Sequence, residues 1–385
     1  MRIAFMTSGT IKSSISYRPL SFARRLVEKG HKVYIFAPRF DKYSNFNDVK
    51  LTEIDGIKIV RPFQLAKVPF IVGLIPYIFS SIFILFKIRP DIIHIYKPNP
   101  ITVPSLILKV IKNTPIVFDT DDLDTKVMEI EKSPKLLIYL VYLSELLASR
   151  YANAIICGSK YLVSIYNKKS KNKKIYYVPN GADFHYTPQP QKLINGKRKV
   201  IFIGNINRIN ILEPFFLAFE KLIKKNKSVK GIIIGDGKFL PYFKRLSKKF
   251  NLTNNITFLG YVQQQKLKNY VSTGDLGYCY MPDEPTTRAC SSMKVFQYMQ
   301  LGIIPIVSNV GDLPEYVFNG KAGYIVGNNN IKELSNTLLS AINNDTAIKS
   351  KNLFCFTHAK DKYSWDTLTN NLEKIDMEVY ETRQK

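Results

Sequence analysis

The chain has 385 residues, too many for one ordinary hydrophobic core, so two domains are expected. Hydrophobic residues make up 45% and charged residues 22%, the balance of a soluble globular protein. Lys and Arg outnumber Asp and Glu by 56 to 30, and the net charge of +26 favours an anionic partner, although a Lys-, Asn- and Ile-rich composition gives the same excess with no partner at all; no zinc-finger, RNA-recognition or basic-zipper pattern supports nucleic acid.

The start, “MRIAFMTSGT”, has no long apolar stretch and no cleavage-like site, so no signal peptide is expected. “RIAFMTS” reads as an apolar strand, followed by a loop from Gly9 to Ser14 and a helix through “RPLSFARRLVEKG”. “HKVYIFAP” and “IKIVRPF” are the next strands. A charge-free run from Val68 to Phe86 follows, flanked by Lys67 and Lys87. It is just long enough to span a bilayer. Pro69, Gly73 and Pro76 break its first half, and it leads straight into the strand “DIIHIYK”. A helix packed in the domain, a helix dipping into a membrane interface and, behind these, a true span are the competing readings. A helix near “PSLILKVIK”, the strand “PIVFDTDD”, an amphipathic helix through “PKLLIYLVYLSELLASRYA” and the strand “AIICGS” complete the first half.

Val178 to Lys199 holds three prolines and two glycines without periodicity and reads as a linker. Alternation then restarts with “KVIFIG”, a helix from Glu213 to Lys225, “GIIIGDG”, a helix over Leu240 to Phe250, “ITFLGYV”, a helix from Gln265 to Ser272 and “LGYCYM”. A helix from Ser292 to Leu301, the strands “IIPIVS” and “GYIV”, and a terminal helical stretch, Tyr363 to Tyr380, finish the chain. Short, nearly all-apolar strands separated by helices imply βαβ units and parallel sheets. The fold class is thus α/β, with two Rossmann-like halves. The expected domains are 1–182, a linker 183–198, a second domain 199–360, and a segment 361–385 packing back on the first. Ligands in such sheets bind beyond the carboxyl ends of strands, so a cleft between the halves is expected.

Most familiar catalytic signatures are missing. No G-x-G-x-x-G follows the first strand, and no Walker A loop, HExxH pair or G-x-S-x-G elbow occurs. Cys157, Cys279, Cys290 and Cys355 form no CxxC pair, which argues against disulfides or zinc and suits a reducing cytoplasm. What remains is a set of strand-end loops. Gly9 and Gly204 each follow a strand, where a phosphate can approach bare backbone, and Arg208 lies near the second. At “CSSMK”, Ser291 or Ser292 can cap the helix and leave first-turn amides, Met293 among them, facing an anion. Lys294 and Arg288 add full charge there, and Gln297 shares the face of Lys294. “FDTDDLD” offers Asp119, Asp121, Asp122 and Asp124, of which Asp121 or Asp122 could position or deprotonate an acceptor hydroxyl. No second ligand set accompanies them, so no metal is expected.

Taken in order, “GHKVYIFAP”, “PDIIHIY”, “YANAIICGSKYL…IYYVPNGAD”, “VIFIGNIN”, “GIIIGDG”, “ITFLGYV” and “MKVFQYMQLGIIPIVSNVGDLPEYV” resemble the retaining, GT-B-fold glycosyltransferases of family 4 over nearly the whole chain. The resemblance implies two Rossmann-like domains facing across a cleft, with a C-terminal helix returning to the first domain. It implies a nucleotide-sugar donor on the second domain, with Gly260, Tyr261 and Val262 beside the base. It also implies a glycan or lipid-linked acceptor on the first domain, and no cofactor or required metal. Catalysis would fall to Asp121, Asp122 and Lys294. With the charge, it implies a cytoplasmic enzyme peripheral to the inner face of the cell membrane. Asn167 to Lys174, “NKKSKNKK”, and the Val68–Phe86 segment are the candidate anchors.

The sequence departs from the family at the donor site. Asn205 and Asn210 stand where Arg and Lys are usual, and Ala289 and Gln297 where two glutamates are usual. Gln297 can still bond ribose hydroxyls but loses charge assistance, so weakened donor binding is expected. A catalytically inactive relative that binds a glycan, lipid or partner is the alternative, and an enzyme acting on a nucleotide sugar without an acceptor is a third.

Overall fold

The computed structural model describes residues 1–11, 14–38, 50–63, 70–170, 173–184, 198–271 and 275–384. Most of the expected linker therefore lies outside the described residues, as do Val68 and Pro69, part of the loop after Gly9, two residues of the lysine run and Ser272. The chain divides into two compact units. One holds 1–180, 289–291 and 365–385; the other holds 181–288 and 292–364.

The first unit is an eight-stranded sheet in the order β3-β4-β2-β1-β5-β6-β7-β8. Its strands are β1 (Arg2–Thr7), β2 (Lys32–Phe36), β3 (Lys50–Ile54), β4 (Ile57–Arg61), β5 (Ile92–Tyr96), β6 (Ile116–Thr120), β7 (Ala154–Cys157) and β8 (Lys174–Tyr177). All pairs are parallel except β3 with β4, a polar edge strand that periodicity does not reveal. The helices are α1 (Tyr17–Glu28), α2 (Phe70–Ile88), α3 (Val103–Lys112), α4 (Asp124–Ile130), α5 (Lys135–Tyr151) and α6 (Lys160–Lys169).

Alternate strand residues face opposite cores, as the pleat requires. Ile3 and Phe5 pack with Phe22 and Leu26 of α1 and with Trp365, Leu368 and Leu372 of the final helix. Ala4 and Met6 pack with Leu85 of α2, Leu106 and Leu108 of α3, Ala148 of α5 and Leu162 of α6. The strand order accounts for the split: the step from β1 to β2 runs one way along the sheet and β5-β6-β7-β8 the other, so right-handed crossovers put α1 opposite α3, α5 and α6. The Val68–Phe86 segment is neither a free helix nor a fully packed one. Leu74, Tyr77, Ser81 and Leu85 are buried along one face of α2, while Val72, Ile75, Phe79 and Phe83 are exposed along the other. Among the described residues no helix is long and apolar enough to cross a membrane.

The second unit is a six-stranded, all-parallel sheet ordered β11-β10-β9-β12-β13-β14. The strands are β9 (Lys199–Ile203), β10 (Lys230–Ile234), β11 (Ile256–Gly260), β12 (Leu276–Cys279), β13 (Ile304–Ser308) and β14 (Tyr324–Val326). Its helices are α7 (Ile209–Lys225), α8 (Leu240–Lys249), α9 (Pro285–Ala289, ending as the chain changes units), α10 (Met293–Gln300), α11 (Leu313–Tyr316), α12 (Ile331–Ile342) and α13 (Asp345–Tyr363). The expected helix Gln265–Ser272 is instead a 3₁₀ segment, Gln264–Asn269. The expected terminal stretch Tyr363–Tyr380 is broken at Ser364, which is extended and bridges to Ala182 inside the second unit. The next residue, Trp365, opens α14 (Trp365–Gln384) and is buried edge-on against Phe22 in the first unit. The chain thus leaves the second unit at Ser364 rather than at 360. His94 of β5 and Asp376 of α14, both fully buried and 2.9 Å apart, fix the returning helix.

Candidate active-site groups on each domain

In the first unit the carboxyl ends of β5 and β6 bring Tyr96, Lys97 and the aspartate run together. Asp119, still in β6, is taken up by Arg18 of α1, whose Nε lies 2.9 Å from one carboxylate oxygen and whose Nη2 lies 3.0 Å from the other. Arg18 also donates to the carbonyls of Val178 and Pro179, each at 2.9 Å, and to Asn180 Oδ1 at 3.2 Å. Five donated bonds from one buried guanidinium match its fork of donors. The sequence reading misses Arg18, since its partners lie far along the chain.

Asp121 and Asp122 separate into different environments. Asp121 Oδ2 accepts from the Tyr96 hydroxyl at 2.9 Å and from Asn180 Nδ2 at 3.2 Å, while its other oxygen lies 3.1 Å from Lys97 Nζ. Its side chain is 9% exposed, whereas that of Asp122 is 28% exposed. Asp122 accepts from Lys97 Nζ at 2.5 Å and from the Cys290 thiol. Burial alone would raise the Asp121 carboxyl, but Lys97 and Arg18 outweigh it and hold it below the usual value. Burial raises Asp122 despite Lys97, and Asp121 adds to the rise. Asp124, 3.4 Å from Lys97, is pushed up to about 7 by burial, with Asp122 and Asp121 adding to it against the opposing pull of Lys97. Of the two expected acceptor-side carboxylates, Asp121 is the buried hub, with one oxygen that accepts two hydrogen bonds and one that only faces Lys97, and Asp122 is the more accessible one.

Ser291 belongs to this cluster and does not cap α10. Its hydroxyl accepts from the Asn180 amide at 2.8 Å, and its carbonyl accepts from Asn180 Nδ2 at 2.9 Å. Its contacts are with the “VPNG” turn because 289–291 packs in the first unit. Gly158, just past β7, allows this close packing: a Cβ there would sit 2.7 Å from Asp121 Cβ and 2.9 Å from its Cα. Gly9 follows β1 as expected, with its carbonyl accepting from Thr7 Oγ1 at 3.2 Å and Ser16 Oγ at 3.3 Å.

In the second unit the carboxyl ends of β9, β10 and β11 form a stack of backbone turns. Gly204 has φ 156° and Gly235 φ 141°; a Cβ on Gly235 would stand 1.8 Å from the Gly204 carbonyl oxygen, so only glycine fits. The Gly204 amide donates to Ile234 and the Gly235 amide to Gly260. Beyond Gly260, Tyr261 is strongly exposed and Val262 packs against the core that holds α10.

Lys294 lies across this stack. Its Cε is 2.5 Å from where a Gly204 Cβ would be, and its Nζ lies 5.1 Å from the centre of the Phe202 ring. Among the described residues it meets no carboxylate. Its charge reaches the end of β12, where burial raises the Cys279 thiol and the Lys294 ammonium opposes the rise. Helix α10 is fixed by Tyr298, whose hydroxyl accepts from Ile203 N at 3.0 Å and lies 3.0 Å from the Tyr278 carbonyl. Ser292 occupies the cap position without a side-chain cap bond, and its hydroxyl lies 3.4 Å from Cys279 Sγ. The first-turn amides at Met293 and Lys294 are thus not taken by a side-chain cap. Gln297, partly exposed on the Lys294 face, has no side-chain hydrogen bond among the described residues.

The two expected arginines are engaged by carboxylates that the sequence reading overlooks. Arg208 pairs with Glu284, which also accepts from Asn210 Nδ2 at 2.7 Å. Arg288 bonds both oxygens of Asp283, at 2.6 and 2.9 Å, and holds that carboxyl below its usual range. Neither is a bare cation; the “PDEPTTR” segment carries the answer in its own acids. Among the described residues no group of three or more His, Cys, Asp or Glu side chains is arranged to hold a metal ion.

Residues 19–186 match the family model Glycosyltransferase Family 4, and residues 186–353 match Glycosyl transferases group 1. The chain is 22% identical over 232 residues to spore coat protein SA of Bacillus subtilis (strain 168), covering 55% of this chain and 59% of that protein, so it spans less than two thirds of that relative. In structure it is similar to sucrose-phosphate synthase from Thermosynechococcus elongatus, with TM-score 0.78 at 15% identity over 99% of this chain and 100% of the other. It is likewise similar to the Anabaena protein HepE in complex with UDP and glucose, with TM-score 0.72 at 16% identity over 97% and 99%. At these identities the structural likeness establishes the fold, two parallel-sheet domains of the GT-B class.

Proposed function

The chain belongs to the glycosyltransferases of family 4 and group 1, and on that premise we propose that it moves a sugar from a nucleoside-diphosphate sugar to a hydroxyl of a glycan or lipid-linked glycan. The reaction retains the anomeric configuration, requires no metal and takes place at the cytoplasmic membrane face. The observation that carries the reading is Lys294: a cation without a carboxylate partner among the described residues, laid over the Gly204 turn at an uncapped helix start. A diphosphate leaving group gains negative charge as the glycosidic bond breaks, and a fixed ammonium with helix amides stabilises that charge as it develops. The HepE structure with UDP and glucose makes a uridine nucleotide the first donor to try.

Around that centre the other groups take supporting roles. Gln297, outward on the same face, bonds hydroxyls of the donor as a neutral donor and acceptor. Arg208 and Arg288, already paired, shape the segment beside Lys294 rather than contributing free charge. On the first domain Asp122 orients the acceptor hydroxyl, and Asp121 positions the loop through Tyr96, Lys97 and Asn180.

A second reading, a catalytically inactive relative that binds a glycan or partner, is favoured by Asn205, Asn210 and Gln297 standing where charged residues are usual in the family. A thermal-shift panel of nucleotide sugars separates the two. A donor at a hundred times its Kd stabilises the fold by about 2.7 kcal/mol, a rise in melting temperature that is easily read. One nucleotide series should give that rise. If every member leaves the melting temperature unchanged at millimolar concentration, the donor reading fails and the inactive reading stands.

A further inference from the structure

The outer faces of α2, α3 and α5 carry large exposed apolar side chains that the other described residues do not cover. Phe79 and Phe83 of α2 are 69% and 60% exposed, Val110 and Ile111 of α3 70% and 59%, and Tyr139 and Tyr142 of α5 56% and 49%. The topology puts all six on one side of the sheet. The steps from β4 to β5, β5 to β6 and β6 to β7 advance in the same direction, so right-handed crossovers place the three helices on a common face. Their inner residues agree, since Leu85, Leu106, Leu108 and Ala148 share one core. Helix α3 packs against both α2 and α5, which makes the exposed residues one surface rather than scattered points. Soluble monomers rarely leave an apolar surface of that kind uncovered.

The edge of this surface is basic. Helices α2 and α3 contain no carboxylate, and the one in α5, Glu145, accepts from the Tyr166 hydroxyl. Lys87 Nζ lies 4.4 Å from the centre of the Phe83 ring and Lys112 Nζ 5.8 Å from that of Phe86. Burial lowers the Lys109 ammonium, and the neighbouring cations Lys173 and Arg383 lower it further, so positive charge is concentrated at the end of α3. Exposed aromatic rings beside long basic side chains match the acyl boundary and headgroups of an anionic bilayer. Helix α2 cannot be a span, because its opposite face is buried against protein.

We propose that the α2–α3–α5 face of the first domain docks on the surface of a bilayer containing anionic lipid, with its aromatic rings in the interface and its lysines over the headgroups. The proposal rests on the clause of the functional reading that presents the acceptor at a membrane. It uses no residue assigned to donor or acceptor.

The test is co-sedimentation of the full chain, without donor or acceptor, with phosphatidylcholine vesicles and with mixed phosphatidylcholine–phosphatidylglycerol vesicles, at low and high salt. Two double variants are compared with the wild type: Phe79→Ser with Phe83→Ser, and Tyr139→Ser with Tyr142→Ser. Unchanged melting temperatures show that they fold. The wild type should bind the mixed vesicles in a salt-sensitive manner, and each variant should bind at least about tenfold more weakly, as expected for losing two interfacial rings. Variants that bind like the wild type overturn the assigned surface. A wild type that ignores the mixed vesicles at low salt overturns the proposal, and a dimer abolished by the same substitutions would give the face to a second copy instead. Because vesicle binding is read without turnover, its failure and the failure of the transfer reading are separately visible.

Discussion

Lys294 and Gln297 show how much one residue's surroundings decide. Lys294 lies over a bare glycine turn and meets no carboxylate among the described residues, while Arg208 and Arg288 of the same region are paired with Glu284 and Asp283. Gln297 stands on the Lys294 face with no side-chain hydrogen bond among the described residues. Restoring charge there with Gln297→Glu should tighten nucleotide-sugar binding by several-fold, the gain of a charge-assisted over a neutral hydrogen bond. Calorimetric titration of the variant checks this, and an unchanged affinity would remove Gln297 from the donor site. On the first domain Asp124 has its carboxyl raised from an ordinary 3.8 to about 7. The folded state then holds a proton that the unfolded state releases, so the stabilisation is complete below pH 4 and is lost as pH rises through about 7. Asp124→Asn keeps the shape without the titration. Between pH 5 and pH 8 the wild type should lose more melting temperature than the variant, and equal losses would place the titration elsewhere.

At the scale of elements, close backbone approach builds both clusters. Gly158 lets the end of β7 lie against Asp121, and a methyl group there would meet Cα and Cβ of a residue already fixed by Tyr96, Asn180 and Lys97. Gly158→Ala should therefore destabilise the fold by about 1–3 kcal/mol, the usual cost of overpacking. Denaturant titration reads this directly, and a variant within error of the wild type would mean that the loop yields freely. Sequence periodicity captures the elements whose buried face is apolar and regular, such as β1, α1, β9 and α8. It misses β3, a polar edge strand, and α13, whose buried face includes Asn352 as well as Ile348, Cys355 and Ala359. It also leaves α2 undecided, because both of its faces are apolar and only tertiary packing distinguishes the inner from the outer one.

For the whole molecule, the motif order points to family and fold, while the pairing of charged groups cannot be read along the chain. Arg18 and Asp119 are 101 positions apart, and Ser291 joins Asn180 from 111 positions away. The start of α10 and the aspartate run after β6 are recognisable locally, but which cation meets a carboxylate among the described residues and which carboxylate is open depends on contacts that only the fold creates. The chain's path adds to this. It leaves the first unit after Asn180, returns briefly at 289–291, and returns finally with α14, whose Trp365, Leu368 and Leu372 complete the first core.

The central claim is that this chain transfers a sugar and that Lys294 stabilises the leaving diphosphate. The most direct measurement is release of nucleoside diphosphate from the stabilising nucleotide sugar, with and without synthetic lipid-linked saccharides, for the wild type and Lys294→Ala. The account predicts acceptor-dependent release by the wild type and a loss of at least about tenfold in the variant, the scale of one electrostatic contact to developing charge. Release by Lys294→Ala at the wild-type rate, or none by a wild type that binds both donor and saccharide, would contradict it.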